Sequence, residues 1–250
     1  MEEIITLDGK IFEDKRFLRS LMYGEGVFET FKYEGKLPKY IDYHYERLIK
    51  GAELFKIPKI TKEDFIYYIE DTVKKHPKDN LYVKTILVSE GNSYFPLIPE
   101  ESHLIVIVRE FEPMEKEAIN LTIAPFKIHS SEPLLRVKSI NFGQNIIAKR
   151  YAIENGYDDA IFLNENNEIT ETTTSNIFWI KGKYLYTPSL DCGVLDGITR
   201  KVILENAQSE GFSIIEGRFY LSDLKKADFV FVSNALYGMV KVRKVENFIF

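Results

Sequence analysis

The sequence predicts an α+β protein built from two domains. Three observations predict it. Short runs that alternate apolar and polar residues recur between Gly, Asp and Asn turns. A few stretches of helical period stand between them, grouped with the strands rather than strictly alternating with them. A charged segment holding Pro113, residues 111–118, has the composition of a linker. The expected organisation is a smaller domain at 1–111, a linker at 112–119 and a larger domain at 120–250.

In the first half, residues 4–7 and 27–33 read as strands of hairpin-like pairs, turning at Asp8-Gly9 and Glu34-Gly35. Asp42 is a candidate cap for a helix reaching Phe55, with Tyr45, Leu48, Ile49, Ala52 and Phe55 on one stripe. Thr61 and Asp64 resemble a capping box, and that second helix should stop before Pro77. Residues 81–88 alternate, and 103–108 read as a more buried strand. In the second half, 120–124, 160–163, 168–172, 176–180, 184–186, 213–216 and 228–233 read as strands. Residues 134–140 read as extended. Helices are expected at 145–155 and at 198–209, the latter closed by Gly211.

Composition narrows the function. A chain of 250 residues with 45% hydrophobic and 28% charged residues can bury one large core or two smaller ones. A net charge of -5, without a Lys/Arg cluster, excludes an ordinary nucleic-acid binder. The acidic N-terminal residues do not read as a secretory signal, and the longest aliphatic run, 104–108, cannot cross a bilayer. The lone Cys192 excludes an internal disulfide and fits a reducing, cytoplasmic setting.

Known catalytic patterns are mostly absent. His44, His76, His103 and His129 are scattered without metal-ligand spacing, so no metal is expected. His44 reads as a surface or boundary residue. There is no Gly-x-Ser-x-Gly elbow, no Walker lysine loop and no Gly-x-Gly-x-x-Gly. What stands out is the stretch from Glu171 to Arg200. It orders a carboxylate at a strand end before a Gly197-Ile-Thr-Arg200 helix start, whose N–H groups suit a small phosphate monoester. Lys138, in Leu-Leu-Arg-Val-Lys-Ser-Ile-Asn, is a candidate amine nucleophile. A carboxylate such as Glu171 beside a pyridine nitrogen would keep it protonated and make the ring an electron sink. By pattern alone, a capped helix, a strand lysine and a hairpin carboxylate account for the same residues.

Together these motifs resemble the class IV aminotransferases. The matching residues are Lys138-Ser-Ile-Asn141, Glu171, Thr173, Asn176-Ile-Phe178, Leu185-Tyr-Thr187, Leu195-Asp-Gly197-Ile-Thr-Arg200 and Ser233-Asn-Ala-Leu236. Weaker likeness begins at Tyr23-Gly-Glu-Gly-Val-Phe and runs to Met239. The resemblance implies a two-domain fold type IV, D-amino acid aminotransferase-like architecture, with pyridoxal 5'-phosphate between the domains. It implies that Lys138 carries the cofactor and shuttles the proton, and that Glu171 pairs with the ring nitrogen. It also implies cofactor contacts from Arg47, Asn141, Ile198, Thr199, Asn234 and Ala235. The helical wheel disagrees at Arg47, placing it off the apolar stripe toward solvent.

Within that family, Asn234-Ala-Leu236 looks like the 4-amino-4-deoxychorismate lyases, where transaminases tend toward Thr/Ser-Gly/Thr-Thr. The implied reaction releases pyruvate and 4-aminobenzoate. The alternatives are an aminotransferase of branched-chain L- or D-amino acids, and a non-catalytic binding module. Thr30 and Arg109 are candidate substrate contacts. Glu90 stands where many relatives place a carboxylate-binding arginine. The resemblance implies a homodimer. The apolar end, Phe248-Ile-Phe250, reads either as a final strand or as a subunit contact.

Overall fold

The computed structural model describes residues 4–11 and 13–250 and divides into two compact units. One comprises Met1–Phe111 with Val137–Asn141, the other Glu112–Arg136 with Phe142–Phe250. The first unit ends at Phe111, and a strand begins at Ala118, within the segment expected as a linker. A larger correction concerns 137–141, which was expected in the second domain. This segment packs with the first unit because its backbone bonds to residues 26–28.

The first unit opens with a small hairpin, β1 (Thr6–Leu7) and β2 (Lys10–Ile11), turning at Asp8-Gly9 as expected. A short helix α1 (Leu18–Tyr23) follows, unanticipated from the sequence. Strand β3 (Gly26–Glu34) does not return on itself after Gly35. It pairs antiparallel with β4 (Asn80–Glu90), which pairs with β5 (Glu101–Glu110). Helices α2 (Ile41–Phe55) and α3 (Lys62–Val73) intervene. Tyr40 rather than Asp42 precedes α2, and Asp42 sits in its first turn, where a carboxylate complements the helix dipole. Alternation along β3 sends Val27, Glu29 and Phe31 to one face. There Val27 and Phe31 join Leu81, Val83 and Leu87 against Leu48, Ala52, Phe65 and Ile69 of the helices.

Thr61 caps α3 as expected, its hydroxyl accepting from the Asp64 N–H at 3.1 Å. Thr61→Ala should therefore cost about 1 kcal/mol. In a thermal melt this corresponds to a fall of roughly 2–4 °C.

In the second unit, β6 (Ala118–Ile123) is followed by a single 3-10 turn at Pro133–Arg136. The extended run expected at 134–140 is thus replaced by a tight turn, because Pro133 presets φ and Leu135 N–H bonds back to Glu132. Helix α4 (Gly143–Glu154) leads to β7 (Asp159–Leu163), β8 (Ile169–Thr172), β9 (Asn176–Lys181) and β10 (Tyr184–Pro188). Then come α5 (Ile198–Ser209), β11 (Ser213–Gly217), α6 (Leu221–Leu224) and β12 (Phe229–Asn234). The chain closes with β13 (Gly238–Val245) and β14 (Phe248–Ile249), so part of the apolar end is a strand. The sequence reading had missed α6 and β13.

The strand order is β11-β10-β9-β12-β13-β6-β7-β8, and β8 pairs back onto β9. Six strands, β9-β12-β13-β6-β7-β8, therefore form a ring, joined between β8 and β9 by the single pair Glu171 and Asn176. Period-two alternation fills it. Ile177 and Trp179 of β9 join Leu121, Ile161, Ile169, Val230 and Val242 in one core. Phe178, pointing the other way, stacks on Phe231 at 5.0 Å and packs with Ala207 of α5. Among the described residues no helix is long and apolar enough to cross a membrane.

Candidate functional site

Each unit gathers a distinct group of the candidate residues. On the core face of β3, Glu29 is completely buried, a position that a carboxylate occupies only when paired. Arg47 donates from Nε and Nη2 to its two oxygens at 2.6 and 2.7 Å. His44 Nδ1 lies 2.6 Å from Oε2. Burial by itself would raise the Glu29 carboxyl, but the Arg47 charge and the bonds from Arg47 and His44 outweigh it. The net effect holds the group down at about 2, against an ordinary 4.5. Two expectations are corrected here. Arg47 does not face solvent, its side chain being only 13% exposed. His44 is not a boundary residue but is buried on the same helix face, one turn earlier.

On the opposite face of β3 lie Phe28 and Thr30. Lys138 follows the 3-10 turn and runs beside this strand. Phe28 N–H donates to its carbonyl at 2.8 Å, and Ile140 N–H donates to Gly26 at 3.1 Å. Lys138 Nζ sits 4.6 Å from the Phe28 ring centre, and Lys84 Nζ sits 4.3 Å from the same ring. Lys84, which the sequence reading did not select, is directly opposite Thr30 in the β3–β4 register. Burial lowers its pKa. Arg109 falls one row further along, opposite Tyr82, with its guanidinium 4.3 Å from that ring. Asn141 uses its amide to hold the lysine segment, donating to Gly24 O at 2.7 Å and to Ser139 Oγ at 2.8 Å. Glu90, at the end of β4, meets His103 Nε2 at 2.5 Å. With Glu101 they form a group of three potential ligand residues whose donor atoms lie within 4.8 Å, an association across strands that His spacing in the sequence could not show.

In the second unit Glu171 and Asn176 are partners in the β8–β9 register. Glu171 Oε2 accepts from Asn176 Nδ2 at 3.0 Å and from Leu195 N–H at 3.3 Å. Helix α5 starts at Ile198 as expected, with Gly197 as N-cap and no side-chain cap. Ile198 is buried and Thr199 half-buried, so the first-turn N–H groups lie in a sheltered setting. Residues 172–175 form a tight turn closed by Thr172 N–H to Ser175 O at 2.8 Å. Asn234 ties it down, Nδ2 donating to Ser175 Oγ at 2.9 Å. The Asn234 Oδ1 accepts from Leu236 and Tyr237 N–H at 3.0 Å each, bracketing Ala235 in a turn.

These residues fit pyridoxal phosphate. The α5 start offers backbone donors without a competing side-chain cap, as a phosphate requires. Two buried polar atoms without hydrogen-bond partners lie in the implicated segments, Arg200 Nε beside Thr199 and Ser233 Oγ beside Asn234. A carboxylate fixed by two donors is present for the ring nitrogen.

Glu29, His44, Lys84 and Ser175 were missed as functional candidates. A signal existed for two of them. Glu29 alternates in phase with apolar Val27 and Phe31, so it must be buried and paired. His44 and Arg47 are three apart on one helix and share a face. Nothing local pointed to Lys84 or Ser175.

The family model for class IV amino-transferases matches residues 26–245. An aminodeoxychorismate lyase of Bacillus subtilis is 31% identical over 98% of this chain and 87% of its own length. A Methanocaldococcus jannaschii protein, provisionally named a branched-chain-amino-acid aminotransferase, is 28% identical over 97% of this chain and 88% of its own. A crystal structure from Legionella pneumophila, provisionally named a 4-amino-4-deoxychorismate lyase, superposes with a TM-score of 0.88. It is 32% identical and covers 92% of this chain and 87% of that one. With the match spanning both units, the chain belongs to the class IV aminotransferase family of pyridoxal-phosphate enzymes.

Proposed function

We propose that this enzyme is a 4-amino-4-deoxychorismate lyase, releasing pyruvate and 4-aminobenzoate for folate synthesis. The observation that carries lyase over transaminase is the turn 234–237. Its Asn-Ala-Leu sequence is braced by the Asn234 side chain on both sides, toward Ser175 and toward its own backbone. The Bacillus subtilis and Legionella pneumophila relatives support the same reading.

Pyridoxal phosphate, when bound, supplies an electron sink for the charge left at the substrate's amine-bearing carbon. Lys138 would hold the cofactor until the substrate's amine displaces its Nζ, and the freed Nζ would then take the proton from that carbon. Glu171 keeps the ring nitrogen protonated. The N–H groups of Ile198 and Thr199 and the Thr199 hydroxyl would hold the phosphate, and the family resemblance implies a phosphate contact from Arg47 as well. Asn141 would orient Lys138, and the turn of Asn234 and Ala235 would help hold the cofactor. On the sheet face carrying Thr30, Lys84 is the cation placed opposite it, and Arg109 stands one row away. Both suit a substrate with two carboxylates, and Lys84 takes the role that Glu90 cannot. Lys84→Met is expected to raise KM for aminodeoxychorismate about tenfold to a hundredfold with a smaller change in kcat. Steady-state kinetics would decide it, and an unchanged KM would return the role to Arg109.

The direct test is incubation of the purified holoenzyme with aminodeoxychorismate and no amino acceptor. Stoichiometric pyruvate and 4-aminobenzoate are expected. The similarity to the Methanocaldococcus jannaschii protein favours the second reading, an aminotransferase. That reading would prevail if amino acids converted the bound cofactor to its pyridoxamine form at turnover rates while aminodeoxychorismate was left intact. A homodimer is part of the proposal, supported by apolar Leu21, Met22, Phe95, Leu97 and Ile98 exposed on α1 and the loop after β4. So is a cytoplasmic setting, supported by the single, buried Cys192.

A further inference from the structure

Asn176 belongs to the family motif by position, yet nothing in the proposed reaction uses it. Its geometry points to a definite task. It is 6% exposed at the first position of β9, directly paired with Glu171 on one side and with Ser233 on the other. Its Nδ2 donates both to Glu171 Oε2 and to Leu195 O, each at 3.0 Å. Leu195 N–H donates to the same Glu171 oxygen, closing a small hydrogen-bonded cycle through three residues. The amide oxygen faces the next turn of chain. A Cβ on Gly197 would lie 2.0 Å from Asn176 Oδ1, so only glycine lets the start of α5 approach this closely.

We propose that Asn176 is the positioning residue that locks the Glu171 carboxylate to the 195–197 segment opening α5. It thereby sets the separation between the group for the ring nitrogen and the backbone donors for the phosphate. The assignment rests on the cofactor roles proposed above for Glu171 and for Ile198 and Thr199. The physical reasoning is that of any supporting shell. A carboxylate on a strand end and N–H groups on a helix start belong to separate elements, and small independent shifts of either would spoil simultaneous contact with one rigid ligand. A single amide bonded to both elements removes that freedom. Its Oδ1 packs against a residue with no side chain, so the lock also resists closing further.

The test compares Asn176→Asp, Asn176→Ala and Glu171→Gln, prepared as apoprotein and titrated with pyridoxal 5'-phosphate. Asn176→Asp keeps the volume and the oxygen beside Gly197 but replaces the donor to Glu171 with an acceptor. Three quantities are read: the dissociation constant of the cofactor, the pH dependence of its visible absorption when bound, and the melting temperature of the apoprotein. Both Asn176 variants are expected to bind the cofactor at least about tenfold more weakly. Asn176→Ala should displace the pH profile in the same direction as Glu171→Gln. Asn176→Asp combined with Glu171→Gln should bind scarcely worse than Glu171→Gln alone, because the two residues act as one unit. Asn176 variants that only melt earlier, with cofactor affinity and pH profile unchanged, would show a purely structural residue and overturn the proposal. A Glu171→Gln protein with unaltered affinity and profile would overturn the cofactor reading itself, and that outcome is visible in a variant that leaves Asn176 in place.

Discussion

Lys138→Ala is expected to lower pyruvate release by at least about 10³-fold, because in the proposed reaction one side chain both carries the cofactor and then, once displaced by substrate, moves the proton. A positioned general base by itself contributes roughly 10²–10⁴. Folding should be spared. The Lys138 backbone carbonyl, which accepts from Phe28 N–H, survives the substitution, and Val137 and Ser139 remain buried on either side. The side chain is half-buried and sits near Lys84 over Phe28. Two measurements check this. Borohydride reduction of the wild-type holoenzyme followed by peptide mapping should place the cofactor on Lys138. Coupled pyruvate detection should then show the loss of turnover in the variant with an unchanged apoprotein melting curve. An adduct on another lysine, or an alanine variant within tenfold of wild type, would sink the assignment.

The second large effect is on stability and lies at Glu29. Removing its carboxylate with alanine takes a paired negative charge from the Arg47 guanidinium and a hydrogen bond from His44. Breaking a buried ionic cluster from one side costs about 3–5 kcal/mol. At roughly 2–4 °C per kcal/mol, the melting temperature should fall by about 10 °C. The same group predicts a pH dependence with a definite sign. Its carboxyl titrates at about 2 in the folded chain and ordinarily at 4.5. A depressed carboxyl stabilises the fold above its unfolded value, and that contribution is lost as pH falls from about 4.5 through about 2. At 1.36 kcal/mol per pH unit the contribution is about 3 kcal/mol. Denaturant melts of wild type and Glu29→Gln between pH 6 and pH 2 isolate it by difference. The two curves should converge toward the acid end, and parallel curves would contradict the assignment.

Local elements were largely legible. Helix α5 was expected at 198–209 and occupies Ile198–Ser209, because Gly197 and Gly211 bracket a run with no internal breaker. The strands around Glu171 followed from alternation and from the polar turns between them. Alternation alone does not decide a strand or its partner in two places. Residues 134–140 alternate but begin at Pro133, and without a neighbouring strand along their length they curl into a turn and make one isolated bridge, Val27 to Ser139. Residues 27–33 were given a nearby hairpin partner, whereas their partner lies beyond two helices. Strand β13 lies outside the strands expected from the sequence, although Val240 and Val242 alternate with Lys241 and Arg243.

The candidate site divides in the same way. Its chemical groups, the lysine, the carboxylate, the glycine-led helix start and the asparagine turn, were determined by the sequence through residue type and spacing. Which groups hold one another was decided only by the tertiary structure. Glu29 finds Arg47 and His44 from a strand to a helix, Lys84 meets Phe28 through sheet register, and Asn176 reaches both Glu171 and Leu195. The physical reason is range. Propensity, capping and periodicity act over a few residues, whereas a buried charge or amide is satisfied by whatever the strand register and helix packing bring beside it, however distant in the chain.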